Sequence, residues 1–546
     1  MCSKLSDIEH DFNDGCDRCM YELNKMEPLE SDTDGEYDDT AGNNDRISNP
    51  IILNPDVSNT SEVVKIAEAY WNSDPRYMGK DCVSPKLFPR CSLHYFFPNL
   101  AFLLTFANVT LIDTSEGVIM IDAGHSSFAS AIKKQVRKFS DKRVHTCIYT
   151  HGHIDHVMGI QSFEEVDDVN VIAHENVIKH FDRYKLTNGY NTMINNKQFQ
   201  TNNKFPSDFR YPNEIYSDFL HLEIGGVELK LYHGKGETDD GTWVWFPQYR
   251  VLCTGDFFIW ASPNCGNPQK AQRYPIHWME TLDRMINLNA NILLPGHGPP
   301  IIGEDRVYDA LNNTSEYLNN ISSQTLDGIN KGRKLSDIVK NITIPEYFKD
   351  LPYLQPVYDD PSFIVHNIWR HYAGWWDQNP AHLRVGNEEQ VGIEVCNLVG
   401  GAEELSKIAL VLCESGKIDA ATHFIEWCMI GNQNNVEIHK IRSKIYRKRV
   451  EEETSLMAKG IYLSEQLKSE KFLGTPKYYA NKIEGYVIEM AEKKNALFEL
   501  SIISYRIKLF FRTIVEYMLI WKLILFLYSL FPEMPFSIVR KNKKNV

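Results

Sequence analysis

The stretch "IYTHGHIDHVMG", Ile148 to Gly159, decides how the rest of the sequence is interpreted. Its central part, "HGHIDH", places three histidines and one aspartate within six residues. Imidazole and carboxylate groups are common zinc ligands, and a catalytic site collects them from several loops. The motif therefore predicts part of a metal site whose other ligands lie elsewhere in the chain. A polar loop that binds no metal is the alternative.

The spacing inside the motif predicts two neighbouring ions. The buried strand "VHTCIYT" delivers the motif at its C-terminal end. His151 and His153 are then directed to one ion, while Asp155 and His156 lie on the next turn. That second pair would serve another ion about 3.5–4 Å away.

Three other apolar runs end in an acid or a histidine. They are "VIMIDAG", "VLCTGD" and "ILLPGHG", which carry Asp122, Asp256 and His297. Loops at strand ends commonly hold functional side chains on a rigid scaffold. The repetition of this pattern at four strand ends favours one shared metal site over unrelated solvated loops.

The chain changes character along its length. From about residue 87, strand-like runs alternate with helical spacing, which predicts an α/β domain over residues 46–345. After that, segments such as "AEELSKIALVLCESGKIDAATHFIEWCMIG" have only helical periodicity and predict an all-α domain over residues 346–470. The acid-rich residues 1–45 are expected to form a disordered tail.

Composition narrows the functional classes. The formal net charge of −14 argues against nucleic-acid binding, which needs a basic surface. Eleven cysteines without disulfide-like spacing indicate reduced thiols in the cytoplasm. No basic segment followed by an apolar one opens the sequence, so no secretory signal is expected.

The C-terminal segment, residues 471–546, is strongly apolar from about residue 495. Its charge-free run between Lys522 and Pro532 is shorter than the ~18–20 residues of a membrane-spanning helix. Three interpretations stay open: a packed helix, a membrane-surface or tail anchor, and an unreliable chain end. Association with a membrane through this segment is the alternative to a purely cytoplasmic location.

Taken together, Asp122, "HGHIDH", the Gly-Asp of "TGD" and the Gly-His of "PGHG" resemble the metallo-β-lactamase superfamily. The resemblance implies an αββα sandwich with two metal ions along one edge of its sheets. Zinc fits the ligand types, with iron or manganese as alternatives. Asp122 is then expected to orient a ligand, and Asp155 to be a catalytic residue as well as a ligand. The implied ligands are His151, His153, Asp155, His156, Glu237, Asp256 and His297.

Glu237 enters this set by counting. The superfamily usually has a histidine nineteen residues before the bridging aspartate, and that position here is Glu237, whereas His233 lies 23 residues before Asp256. Glutamate at this position resembles the alkylsulfatase-type branch. Asp256 departs from that branch, which usually has glutamate there. "IWRHYAGWWDQNPAHL" and "EETSLMAKGIY" resemble the beginning and the end of the alkylsulfatase dimerisation domain, which implies a homodimer.

The substrate site shows further departures. The relatives have an asparagine followed at positions +4 and +5 by arginines, where this chain keeps Asn191 but has Asn195 and Asn196. Gln269 stands in place of another sulfate-contacting arginine. Asparagine and glutamine cannot supply the charge of arginine. The residues expected to bind substrate are Asn191, Gln200, Lys270 and Arg273, with Lys197 as a further cation. The resemblance also implies a catalytic role for Tyr372 near the substrate, with a core role as the alternative.

The charges of the implied centre sum to nearly zero. Two divalent ions contribute four positive charges, and Asp155, Glu237, Asp256 and a bridging hydroxide contribute four negative ones. The chemistry implied is hydrolysis by that hydroxide of a sulfate ester or a related small ester or thioester. A dimeric metal-binding scaffold without activity is the alternative, and the complete ligand set favours the hydrolase.

Overall fold

Two β-sheets lie face to face. The computed structural model describes residues 60–74, 91–384 and 387–474. The first sheet follows chain order: β1 Ser92–Phe97, β2 Leu100–Leu104, β3 Val109–Thr114, β4 Gly117–Ile121, β5 Val144–Ile148, β6 Asn170–His174 and β7 Glu214–Tyr216. The second has the order β13-β12-β11-β10-β9-β8: β8 Phe219–Ile224, β9 Val227–Gly234, β10 Gly241–Phe246, β11 Val251–Gly255, β12 Ile292–Pro295 and β13 Ile301–Ile302.

The side chains of the strands divide between two layers of core. In β4, Ile119 and Ile121 pack between the sheets, while Val118 and Met120 pack against helices on the outer face. This division follows from the two-residue period of a strand and explains the continuous apolar run "GVIMI". Both faces of the sheet are therefore covered.

Helices cover the two outer faces. The described helices of this part are α1 Thr60–Trp71, α2 Ala129–Phe139, α3 Ile154–Val157, α4 Gln161–Asp167, α5 Asn176–Leu186, α6 Asn188–Phe199, α7 Pro275–Ile286 and α8 Glu304–Asn330. Helices α2, α4 and α5 pack on the first sheet, and α7 and α8 on the second. The predicted αββα sandwich is confirmed.

The remaining described helices are α9 Leu335–Asn341, α10 Glu346–Lys349, α11 Pro361–Tyr372, α12 Glu388–Leu398, α13 Ala402–Glu414, α14 Ile418–Met429, α15 Val436–Glu452 and α16 Leu456–Phe472. Short 3₁₀ turns occur at Ser126–Phe128, Met158–Ile160, Pro247–Tyr249, Pro352–Leu354 and Pro380–His382. Leu405, Ile425 and Ile438 belong to a separate core shared by α12 to α15. The all-α C-terminal part is thus confirmed as well.

Strand register brings the polar strand ends together. Ile121 of β4 pairs with Ile148 of the parallel strand β5, so the chain leaves both strands at the same edge. Gly255 of β11 likewise pairs with Pro295 of the parallel strand β12. The loops that begin at Asp122, Tyr149, Asp256 and Gly296 therefore share one end of the sandwich.

Two expectations fall outside this description. The acidic tail over residues 1–45 and the apolar segment after residue 474 lie outside the described residues. Within the described ranges, every helix is too short or too polar to cross a membrane.

Candidate metal centre

The seven predicted ligands lie together and form two groups. His151, His153, Glu237 and Asp256 form one group, and Asp155, His156 and His297 form the other. Within each group, one nitrogen or oxygen atom per residue lies within 4.8 Å of the others. The sequence prediction had divided the "HGHIDH" motif between two ions in this same way. Four chain segments contribute, as a metal site requires.

Asp256 connects the two groups. Its Oδ2 lies 3.8 Å from His151 Nε2 in the first group and 3.4 Å from His297 Nε2 in the second. Its Oδ1 lies 3.3 Å from His156 Nε2. A carboxylate placed between two sets of donors has the arrangement of a ligand that bridges two ions.

Asp122 orients the loop rather than joining either group. Its Oδ1 accepts a hydrogen bond from the backbone N–H of Thr150, and its Oδ2 accepts one from the Thr150 hydroxyl. Oδ2 also lies 2.8 Å from His156 Nδ1. A proton on Nδ1 leaves the lone pair on Nε2, the atom that faces Asp256 and His297. Asp122 is thus placed to orient a ligand, and this role stays a prediction.

Asp240 and His180 hold the backbone of the "HGHIDH" loop in place, and neither was predicted from the sequence. Asp240 is fully buried and its Oδ2 accepts a hydrogen bond from the backbone N–H of Gly152. His180 Nδ1 lies 2.8 Å from the same oxygen. A Cβ at residue 152 would stand 2.8 Å from that oxygen, so glycine permits the contact. The acid-rich segment "ETDDGT" is the only sequence signal for Asp240, and the nineteen-residue spacing selects Glu237 from it instead.

Two asparagines, Asn264 and the buried Asn108, hold two other ligand segments. Asn264 donates a hydrogen bond to Glu237 Oε1. Asn108 donates to the carbonyl oxygens of Pro295 and Gly298 and so holds the turn that carries His297. His297 Nδ1 contacts the Phe106 carbonyl oxygen, which leaves Nε2 for the site. The sequence offers only polar residues within apolar runs as a sign of these supports.

The donor set fits divalent cations. Burial and the neighbouring His156 lower the pKa of His151 to about 4, so its imidazole is neutral and keeps a lone pair. Burial, together with Asp256, raises the pKa of Glu237 well above its ordinary value although Arg273 opposes the shift. Among the described residues, none donates a hydrogen bond to the buried Glu237 Oε2. A bound cation would satisfy that oxygen and offset the repulsion between the two acids.

A cavity of about 1860 Å³ opens above the two groups. Its lining includes His153, Asp155, Glu237, Asp256 and His297. Apolar side chains such as Phe106, Met158 and Leu463 make up much of the remaining wall. His125, which sequence reasoning also missed, lines the cavity near Asp155, with Nδ1 accepting a hydrogen bond from Ser127 N–H.

The predicted substrate contacts have mixed placements. Asn191 and Gln200 line the cavity, but the amide nitrogen of each already donates hydrogen bonds within the protein. Asn191 donates to Thr187, and Gln200 donates to the carbonyl oxygens of Lys197 and Gly460. Tyr372 is 48% exposed at the end of α11 and lies outside the residues that line the cavity.

The two basic residues differ. Arg273 is buried, and its Nη1 lies 2.8 Å from Glu237 Oε1, so its charge is committed to a predicted ligand. Lys270 also lines the cavity, and its Nζ forms no hydrogen bond or ion pair with the described residues. Burial and the nearby Arg273 lower the pKa of Lys270 to about 8. Lys270 is therefore the better placed of the two to meet a substrate oxygen.

Two parts of the chain match the models of known protein families. Residues 103–297 match the model of the metallo-beta-lactamase superfamily, and residues 334–471 match that of alkyl sulfatase dimerisation. Residues 103–297 thus belong to a metallo-beta-lactamase superfamily domain, and residues 334–471 to an alkyl sulfatase dimerisation domain. The first match contains all seven residues of the two donor groups.

Individual relatives agree with both matches. A linear primary-alkylsulfatase of Pseudomonas sp. (strain ATCC 19151) is 24% identical over 54% of this chain and 61% of its own length. An (R)-specific secondary-alkylsulfatase of Pseudomonas sp. is 23% identical over 55% of this chain and 50% of its own length. The chain thus spans only about half to three fifths of these two relatives. The solved stereoselective inverting sec-alkylsulfatase from Pseudomonas sp. shares the fold, with a TM-score of 0.64 and 21% identity over 76% of this chain and 72% of that one.

The contrast between Glu237 and His233 gives a direct test of the ligand set. His233 stacks on His174 with ring centroids 3.7 Å apart, and it lies outside both donor groups. Glu237→Ala is expected to weaken binding of one metal by more than about 100-fold, because even outer partners of ligands contribute 10–100-fold. His233→Ala should leave metal content unchanged. Elemental analysis after dialysis measures both, and the reverse pattern would contradict the assignment of Glu237.

Proposed function

We propose that this protein is a metal-dependent hydrolase that cleaves the ester bond of a small molecule. The observation that carries the proposal is the pair of donor groups joined by Asp256 at the base of a large cavity. The names of the relatives support a sulfate ester as one substrate class, with carboxylic esters and thioesters as the others. A scaffold without activity would not need such a cavity beside its metal ligands.

The residues of the chain would hold two zinc ions, with iron or manganese compatible with the same donors. When bound, such ions activate water near neutral pH and polarise the bond that is attacked. Asp122 keeps the His156 ring in a fixed orientation, and Asp240 fixes the loop between His151 and His153. Both supports exist before substrate enters, so little reorganisation is needed during reaction.

Other residues would act on the substrate. Lys270 Nζ would donate to an oxygen of the ester, since Arg273 is held by Glu237. His125 accepts the Ser127 N–H at Nδ1, so its neutral form carries the ring proton on Nε2. That proton is available for a hydrogen bond inside the cavity. Apolar walls limit the water around the ester and strengthen these contacts.

Hydrolysis assays on the full chain test the proposal. Purified protein would be supplied with sulfate esters, carboxylic esters and thioesters, before and after treatment with a chelator. We expect turnover of at least one class, loss of that turnover on chelation, and recovery on addition of Zn²⁺. Protein that retains two metal ions and hydrolyses none of the three classes would instead favour the scaffold function.

We further propose that the protein is a homodimer through its helical domain. Apolar residues on α12 and α13 are exposed in the single chain: Val391, Ile393, Leu398, Ile408 and Val411. Their burial by a second copy would be favourable by about 25 cal/mol per Å² of apolar surface. Light scattering should give twice the mass of one chain at micromolar concentration, and Leu398→Glu with Val411→Glu should shift it toward the monomer. A monomeric wild-type protein would contradict this expectation.

A further inference from the structure

The helical domain forms part of the cavity beside the metal centre. Thr454, Leu456, Met457, Gly460 and Leu463 all line it, and all but Thr454 belong to α16. Met457 and Leu463 are also almost fully buried. A domain that served assembly alone would not need to place side chains there.

At Gly460 the backbone of α16 comes very close to the backbone of α6. A Cβ at residue 460 would lie 1.8 Å from the Gln198 carbonyl oxygen and 2.7 Å from its carbonyl carbon. The obstacle is backbone, so no side-chain rotation can relieve it. The Gly460 carbonyl oxygen in turn accepts a hydrogen bond of 2.7 Å from Gln200 Nε2. Glycine therefore permits a direct contact between α16 and the C-terminal end of α6.

The contact bears on the substrate site because α6 is the polar wall of the cavity. Asn191, Asn195 and Gln198 of α6 all line it. Gln198 Oε1 accepts a hydrogen bond from Asn267 Nδ2, which ties α6 to the loop that carries Lys270. A second link, between Lys197 Nζ and Glu465 Oε1 at 3.9 Å, joins the same two helices. A shift of α16 would therefore move side chains that face the substrate.

We propose that α16 is a wall of the substrate site and that Gly460 is its positioning residue. The helical domain then contributes to substrate recognition in addition to assembly. This inference rests on the proposed hydrolase function for its kinetic consequences only. None of the seven candidate metal ligands belongs to α6 or α16. Disturbing this contact should thus impair substrate binding before metal binding.

The test compares Gly460→Ala with a matched glycine. Alanine is normally favoured over glycine inside a helix, so damage by Gly460→Ala must come from the lost contact. A Cβ added at Gly189, in α6, would meet no other described atom within 4 Å, so Gly189→Ala is the control. We expect Gly460→Ala to keep full metal content and to raise KM about tenfold with a smaller change in kcat, because small misplacement of binding groups has large kinetic effects.

Hydrogen exchange provides a readout that does not depend on activity. Exchange of residues 188–199 should accelerate in Gly460→Ala, whereas Gly189→Ala favours the helix and should leave exchange at the wild-type rate or slow it. Equal exchange and equal KM in the two variants would overturn the inference. If the wild-type protein hydrolyses no ester, the proposed function fails, and the exchange rates alone decide whether Gly460 positions α6.

A second variant covers the case in which Gly460→Ala does not fold. Met457→Ala shortens a side chain of the same wall without introducing a clash. We expect it to change the ratio of KM values for long-chain and short-chain acyl esters while metal content stays constant. An unchanged chain-length profile would show that α16 takes no part in substrate recognition.

Discussion

Asp256→Ala is expected to lower the metal content from two ions per chain to one or none, and to reduce kcat/KM by at least about 10³-fold. Asp256 is the residue that lies within reach of both donor groups, at 3.8 Å from His151 Nε2 and 3.4 Å from His297 Nε2. If Asp256 bridges two ions as proposed, its loss would remove a ligand from each. Metal ions contribute several kcal/mol of transition-state stabilisation, and each 1.36 kcal/mol corresponds to a tenfold change in rate.

Asp239→Ala is the matched control, because Asp239 lies in the same segment as Glu237 but outside both donor groups. It should retain two ions. Elemental analysis, circular dichroism and ester hydrolysis on the same preparations separate metal loss from unfolding. An Asp256→Ala protein that keeps both ions and its activity would show that the centre is organised around other residues.

The two donor groups were largely predictable because most of their residues follow apolar strands. Asp122, His151, Asp256 and His297 each come just after a buried run, and parallel pairing of β4 with β5 and of β11 with β12 brings those ends to one edge. This is a local pattern that single-sequence periodicity reveals. The placement of Glu237 rested on a family spacing, because β9 ends before it at Gly234 and gives no such signal.

The supporting contacts were not predictable because they join distant segments. Gly152 and Asp240 are 88 residues apart in sequence, and Arg273 meets Glu237 from a loop 36 residues away. Periodicity carries no information about such pairs. Arg273 has the residue type of a substrate-binding cation, and only the folded chain shows that a predicted metal ligand takes its charge.

Helix α6 illustrates how tertiary packing overrides local preference. Its sequence "NGYNTMINNKQF" contains four asparagines and a glycine, which are weak helix formers. It is nevertheless helical, with Asn191, Ile194 and Gln198 buried, and it packs against α16 through Gly460. The polar segment between β6 and residue 213 therefore forms an ordered wall of the cavity.

The charge of the substrate is expected to have a large effect on its rate of hydrolysis. Asn195, Asn196 and Gln269 line the cavity, at positions where the resemblance to the alkylsulfatase-type branch implies arginines. Asn195 Nδ2 donates to the Asn191 carbonyl oxygen, and Asn196 Oδ1 accepts from Thr201 and Asn203. These groups supply no positive charge and are engaged in local hydrogen bonds. A sulfate at these three positions would therefore lack the positive charges that arginines would supply to its outer oxygens.

Dodecyl sulfate is accordingly expected to turn over at least about 100-fold more slowly than a dodecanoyl ester of similar length, because each lost charged hydrogen bond costs roughly 1.5–3 kcal/mol. Lys270→Ala should reduce hydrolysis of both substrates, since Lys270 is the basic residue near the centre whose Nζ has no partner among the described residues. Asn195→Arg combined with Asn196→Arg should raise turnover of the sulfate selectively. Efficient sulfate release by the wild-type protein, lost in Lys270→Ala alone, would instead assign sulfate binding to Lys270.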